Sequence, residues 1–107
     1  MADSKASLTP ARQLLITEMQ RINYGRIENL AVHKGQPVFT PPPRVIREVK
    51  FGGENGPRPE ITKPDFAIKV QVRDLFAQME AMDDGVILSI DIQRGLPFRM
   101  TIEEVIA

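Results

Sequence analysis

Residues 15–39 recur sixty positions further along, in one register and without a gap. Leu15, Met19, Gly25, Ile27, Gly35 and Pro37 return as Leu75, Met79, Gly85, Ile87, Gly95 and Pro97. Between them Leu30, Val32, Lys34 and Val38 return as Ile90, Ile92, Arg94 and Phe98. A segment written twice is expected to fold twice, so the repeat restricts this chain to two copies of one supersecondary unit. The pattern within each copy says which unit. Leu14, Leu15, Glu18, Met19 and Ile22 follow Thr9-Pro10 at helical spacing, with Arg12, Gln20 and Arg21 off the stripe. Threonine caps free N–H groups, and proline in the first turn forfeits no hydrogen bond. The spacing therefore predicts a helix over 10–23, closed by Asn23-Tyr24-Gly25 with Gly25 in the left-handed conformation. In the second copy Thr62 and Asp65 stand at capping-box spacing, and Ile68, Val72, Leu75, Phe76, Met79 and Met82 form the stripe of a helix over 63–83 that Gly85 closes.

A hairpin follows each helix. Val86, Leu88, Ile90 and Ile92 alternate with mostly polar neighbours, and Leu96, Phe98, Met100 and Ile102 alternate again. Placing both sets on one face pairs Ile92 with Leu96, Ile90 with Phe98 and Leu88 with Met100, around a three-residue loop Gln93-Arg94-Gly95. The first copy gives Val32 with Gln36 and Leu30 with Val38, around His33-Lys34-Gly35. The expected fold is α+β: a single domain, 1–107, of tandem helix–β-hairpin repeats (9–39 and 62–102), with two helices on one face of a four-stranded antiparallel sheet about a pseudo-twofold axis. The alternative is an intertwined dimer whose units pair across chains. Residues 1–8 read as a disordered tail and 40–61 as a connector arm. In that arm Pro41-Pro42-Pro43 cannot lie inside a sheet, Arg44 to Phe51 is a β-prone candidate edge strand, and the Gly/Pro-rich stretch after it reads as loop.

Ile22-Asn23-Tyr24-Gly25 leading into Ile27, Val32, Gly35 and Val38 resembles the YezD-like small bacterial proteins. The resemblance covers about a quarter of the chain, residues 14–39, and Asp84 replaces the aromatic residue before Gly85 in the second copy. It implies a compact, non-catalytic bacterial module of uncharacterised role, and it transfers no functional residues.

Chemistry-bearing residues are few. There is no cysteine, which excludes disulfides, thiolate metal sites and cysteine nucleophiles, and fits a reducing, cytoplasmic setting. The N-terminal residues lack a signal peptide's apolar core, and no apolar run approaches the ~20 residues of a membrane helix. His33 is the only histidine and reads as an exposed turn residue. No serine stands in a nucleophile-elbow context. Asp83-Asp84 and Glu103-Glu104 are paired carboxylates without the further oxygen ligands that a divalent cation needs. Gly52-Gly53-Glu54-Asn55-Gly56 lacks the Gly-Lys-Ser/Thr ending of a phosphate loop. No metal, cofactor, small-molecule substrate or catalytic set is expected, and the chain is read as no enzyme.

Charge is balanced at 14 basic and 14 acidic residues, a neutrality that argues against a dedicated nucleic-acid binder. Locally, residues 1–60 hold nine basic and six acidic residues, and residues 61–107 hold five and eight. The candidate binding residues are Arg44, Arg47, Lys50 and Arg58, all in the central arm. The expected function is a protein-interaction or regulatory module that binds a protein partner or itself. The alternative is a nucleic-acid-binding protein whose arm contacts phosphates.

Overall fold

The computed structural model describes residues 8–52 and 69–104. It is α+β, with two helices and a five-stranded antiparallel sheet. In chain order these are α1 (Pro10–Ile22), β1 (Gly25–His33), β2 (Gln36–Val38), β3 (Arg44–Arg47), α2 (Val70–Met82), β4 (Gly85–Gln93) and β5 (Leu96–Ile102). The sheet order is β2-β1-β4-β5, with β3 also paired to β1. β3 is the candidate edge strand of the connector arm, added to the four strands of the two hairpins. β2 takes residues 31–33 of β1 and β3 takes 25–28, so the two are successive pieces of one edge. Between them run residues 39–43, where proline cannot continue the ladder. β3 also stops at Arg47, short of the expected Phe51.

α1 starts as expected: Thr9 Oγ1 accepts the Arg12 N–H at 3.3 Å, and Pro10 holds the first turn. Its buried face is Leu15, Ile16, Met19, Gln20 and Ile22, whereas Leu14 is 45% exposed. The stripe is thus rotated from the predicted one, because Ile16 rather than Leu14 meets the sheet. α2 begins at Val70, not near 63. Lys69 is extended (φ −74°, ψ 157°) and gives no side-chain cap, so the helix cannot run back through it. Thr62, Asp65 and Ile68 lie outside the described residues. Val72, Leu75, Phe76 and Met79 are buried as predicted. Both helices close on a non-glycine residue, Asn23 (φ 64°) and Asp83 (φ 62°), and not on Gly25 or Gly85. Asparagine and aspartate are the side chains best suited to positive φ.

The hairpin turns have two residues, not three. His33 pairs with Gln36 and Gln93 with Leu96. Lys34 (φ 51°) and Gly35 (φ 75°), like Arg94 (φ 54°) and Gly95 (φ 76°), both take positive φ, the geometry whose twist matches the strands of a tight hairpin. Strand alternation breaks as well. Ile27, Leu30 and Val32 are buried in β1, and Ile87, Ile90 and Ile92 in β4, while Val86 and Leu88 are exposed. In β1 the break follows Asn29, which adopts φ 58°. In β4 the ladder to β5 slips between Ile87 and Ser89. One irregular residue moves every later side chain to the other face.

The β1–β4 ladder is its own image under the sixty-residue offset. Ile27 opposes Ile90 and Leu30 opposes Ile87; Gly25 opposes Ile92 and Val32 opposes Gly85. The ends interlock in the same manner. Gly35 N–H donates to the Asp83 carbonyl at 2.8 Å, and Gly95 N–H donates to the Asn23 carbonyl at 2.9 Å. Each hairpin turn is thereby tied to the helix end of the other half. The buried side chains of both helices and of β1 and β4 form one core, joined by Leu8. Burying each Leu, Ile or Met contributes about 1.5–3 kcal/mol. No described helix is long and apolar enough to cross a membrane.

Candidate functional site

The most unusual local geometry lies on β5. Pro97 opposes Ile92 and Arg99 opposes Asp91, so Phe98 has no partner on β4 and forms a bulge. A bulge re-aims a side chain, and Phe98 is half exposed. Phe98 was expected on the core face beside Ile90. Instead Met100 opposes Ile90, and Phe98 borders three surface clefts.

The first cleft, about 170 Å³, is a largely apolar groove between α2 and β5. Leu75, Pro97, Phe98 and Met100 line it together with the polar Gln71, Asp74, Gln78 and Arg99. The second is polar, about 280 Å³, and is bordered by Arg26, Glu48, Lys50, Asp91 and Arg99. The third, about 460 Å³, is formed by Tyr24, Lys50, Gln93, Arg94 and Phe98. Lys50 Nζ stands 4.4 Å from the centre of the Tyr24 ring, and Arg99 lies 5.5 Å over Phe98. A cation over an aromatic face is held by the ring quadrupole.

β5 is also an edge. Among the described residues no strand pairs with its outer side. The Gln93–Leu96 pair closes the turn, so the backbone nitrogen of Pro97 points outward and its missing N–H removes no bond to β4. Beyond the bulge Met100 opposes Ile90 between the bonded Asp91–Arg99 and Ser89–Thr101 pairs, so Met100 turns its N–H and carbonyl to the outer side.

The sheet face away from the helices is charged but neutralised from within. Arg26 Nε meets Glu28 Oε2 at 2.8 Å, Arg44 stands 3.8 Å from Glu28, and Arg99 Nε donates to Asp91 at 2.7 Å. The hydrogen bond from Arg26 to Glu28 raises the guanidinium pKa further above its ordinary value.

The four predicted binding residues are not gathered into one cluster. Arg44 opposes Glu28 at the start of β3, and Arg47 opposes Gly25 at its end. Lys50 lies past the strand, over Tyr24. Arg58 is outside the described residues. Only Lys50 borders the Phe98 clefts, where it meets Tyr24, Arg94 and Arg99. Sequence reasoning missed these because they come from both halves of the chain. One signal was available in the repeat, which sets Tyr24 against Asp84.

His33 is exposed as expected but does have a carboxylate: its Nδ1 lies 2.8 Å from Asp84 Oδ1. The Lys34 N–H donates to the same oxygen at 3.0 Å. That N–H, and then His33, hold the Asp84 carboxyl below its ordinary pKa. Among the described residues no three His, Asp or Glu side chains gather as metal ligands. The chain matches no family model, no curated protein and no solved structure.

Proposed function

We propose that this chain is a non-enzymatic protein-interaction module, arisen by duplication of a helix–hairpin unit, which receives an extended segment of a partner protein along β5. The observation that carries this reading is the bulged, half-exposed Phe98 on an unpaired strand edge beside an apolar groove. Strand addition draws affinity from main-chain hydrogen bonds and selectivity from pockets for alternate side chains. The groove against α2 supplies such a pocket. A second copy of the chain fits β5 less well. Antiparallel self-pairing centred on Arg99 sets that residue against itself, and like charges directly opposite destabilise a ladder.

The test is a display selection of short, extended, apolar-alternating peptides against the purified protein. Enriched peptides should lose at least about tenfold in affinity on Phe98→Ala. The same loss should follow Met100→Pro, which removes an outward N–H, since Met100 opposes Ile90 between the bonded Asp91–Arg99 and Ser89–Thr101 pairs. No enrichment, or enrichment indifferent to both changes, overturns the reading.

One observation favours a second reading, single-stranded nucleic acid. Tyr24 and Phe98 offer rings beside Lys50, Arg94 and Arg99, the pairing of stacking surface and cation that such ligands use. The self-neutralised sheet face counts against it. Steeply salt-dependent binding of labelled oligonucleotides, weakened by Lys50→Glu, would establish it.

A further inference from the structure

An antiparallel strand added to β5 bonds to Met100, whose N–H and carbonyl face outward. Met100 opposes the buried Ile90, so Met100 and the residue that pairs outside it both turn their side chains to the helix side of the sheet. The groove between α2 and β5 lies on that side. Its apolar lining is Leu75, Pro97, Phe98 and Met100, and α2 adds the polar Gln71, Asp74 and Gln78. Two charged side chains line the groove, Asp74 and Arg99. They are not equivalent. Arg99 is already matched, since its Nε lies 2.7 Å from Asp91 Oδ2. Asp74 is exposed, and none of the ion pairs of the described residues takes it. Lys69 and Arg73, the basic residues nearest to it in sequence, do not line the groove. Lys50 and Arg94 border the clefts nearer the turn. At the other end β5 runs into Glu103 and Glu104, both exposed.

We infer that Asp74 receives a lysine or arginine side chain of the partner segment, carried at the position that pairs with Met100. This deepens the proposed function and rests on it, because the strand lying on β5 is what brings that side chain into the groove. A long basic side chain fits both linings: its methylene stem lies along Leu75 and Met100, and its charged end reaches the carboxylate on α2. A purely apolar side chain there would take water from Asp74 without replacing it, and an acidic one would set like charge against it. The partner segment is therefore extended, with one basic residue opposite Met100 and an apolar residue two positions away, toward the turn, for Phe98.

The experiment titrates matched pairs of short alternating peptides, differing only in lysine or glutamine at the groove position, against wild type, Asp74→Asn, Asp74→Lys and Phe98→Ala. Lysine peptides should bind wild type about threefold to fivefold more tightly, the size of one partly exposed ion pair. That preference should vanish in Asp74→Asn, and in Asp74→Lys it should turn into a preference for glutamate at the same position. Equal binding of both peptides by wild type, still lost on Phe98→Ala, overturns this inference and leaves strand addition standing. A lysine preference untouched by Asp74→Asn also overturns it, since the cation is then read elsewhere. A lysine preference removed by Asp74→Asn but indifferent to Phe98→Ala supports Asp74 as the cation site and removes strand addition. Binding of neither peptide overturns both.

Discussion

β2 with β3, and β5, hold equivalent places at opposite edges of the sheet, and they end differently. The first edge is cut by residues 39–43 and resumes as a strand of four residues, Arg44–Arg47. Prolines and short strands blunt an edge by withholding N–H groups. The second edge is one strand of seven residues, Leu96–Ile102, whose proline and bulge both lie next to the turn, and the bulge turns a phenylalanine outward. Both halves supply the core, and the two edges of the sheet differ. The same division separates the two turns, one closed by Asp84 and the other facing Tyr24, Lys50 and Arg94.

The agreement can be broken first and hardest. Met19 and Met79 are both fully buried at equivalent helix positions. Met19→Ala and Met79→Ala should each lose about 3 kcal/mol in urea unfolding, within about 1 kcal/mol of one another. A clearly unequal pair would show that the halves do not share the core evenly.

Gly25 and Gly85 sharpen the difference. A Cβ on Gly25 (φ 149°) would run into the Ile46 carbonyl oxygen and lie 2.9 Å from Arg47 Cα, both backbone atoms of β3. On Gly85 (φ 159°) it would meet only the mobile end of Met82, at 2.9 Å. Gly25→Ala should therefore lose about 2–3 kcal/mol and detach β3, and Gly85→Ala about 1 kcal/mol or less. Amide exchange at residues 44–47 checks the first and urea unfolding the second.

Phe98→Ala comes next, since a half-exposed ring contributes little to the core. Stability should fall by no more than about 1 kcal/mol while peptide binding is lost. A larger fall would make Phe98 a structural residue.

The smallest effect is electrostatic. The Asp84 carboxyl is held below its unfolded pKa by the Lys34 N–H and His33. Its contribution to stability is thus present above the unfolded value and disappears as pH falls through the folded one. Asp84→Asn should flatten the acid limb of the stability curve and leave stability in strong acid unchanged. Tyr24→Asp should steepen that limb, because it copies the device into the other turn.

Much of this was legible in the residues. Two helices and the antiparallel α+β class were legible, since hydrophobic spacing and turn glycines are local signals, although α2 starts at Val70 and not near 63. What failed was parity. Nothing local marks Asn29 or Phe98 as the residue at which alternation breaks, because the break is set by pairing across strands. The positive φ at Lys34 and Arg94, which shortens both turns, is imposed by the same ladders. The candidate site was hidden for a related reason. Arg44 and Arg47 drew the eye as a basic run, but β3 pairing sets Arg44 beside Glu28, and only Lys50 reaches the cleft that Arg94 and Phe98 complete from the other half.

The most direct measurement follows backbone amide shifts and exchange rates in the labelled protein as a selected extended peptide is added. Strand addition predicts that the outward amide of Met100 gains protection, that its β5 neighbours shift with it, and that β2 and β3 stay unchanged. Shifts confined to β2 and β3, or to the face of α1, would contradict the account, because the blunted edge and not the open one would then be the binding surface.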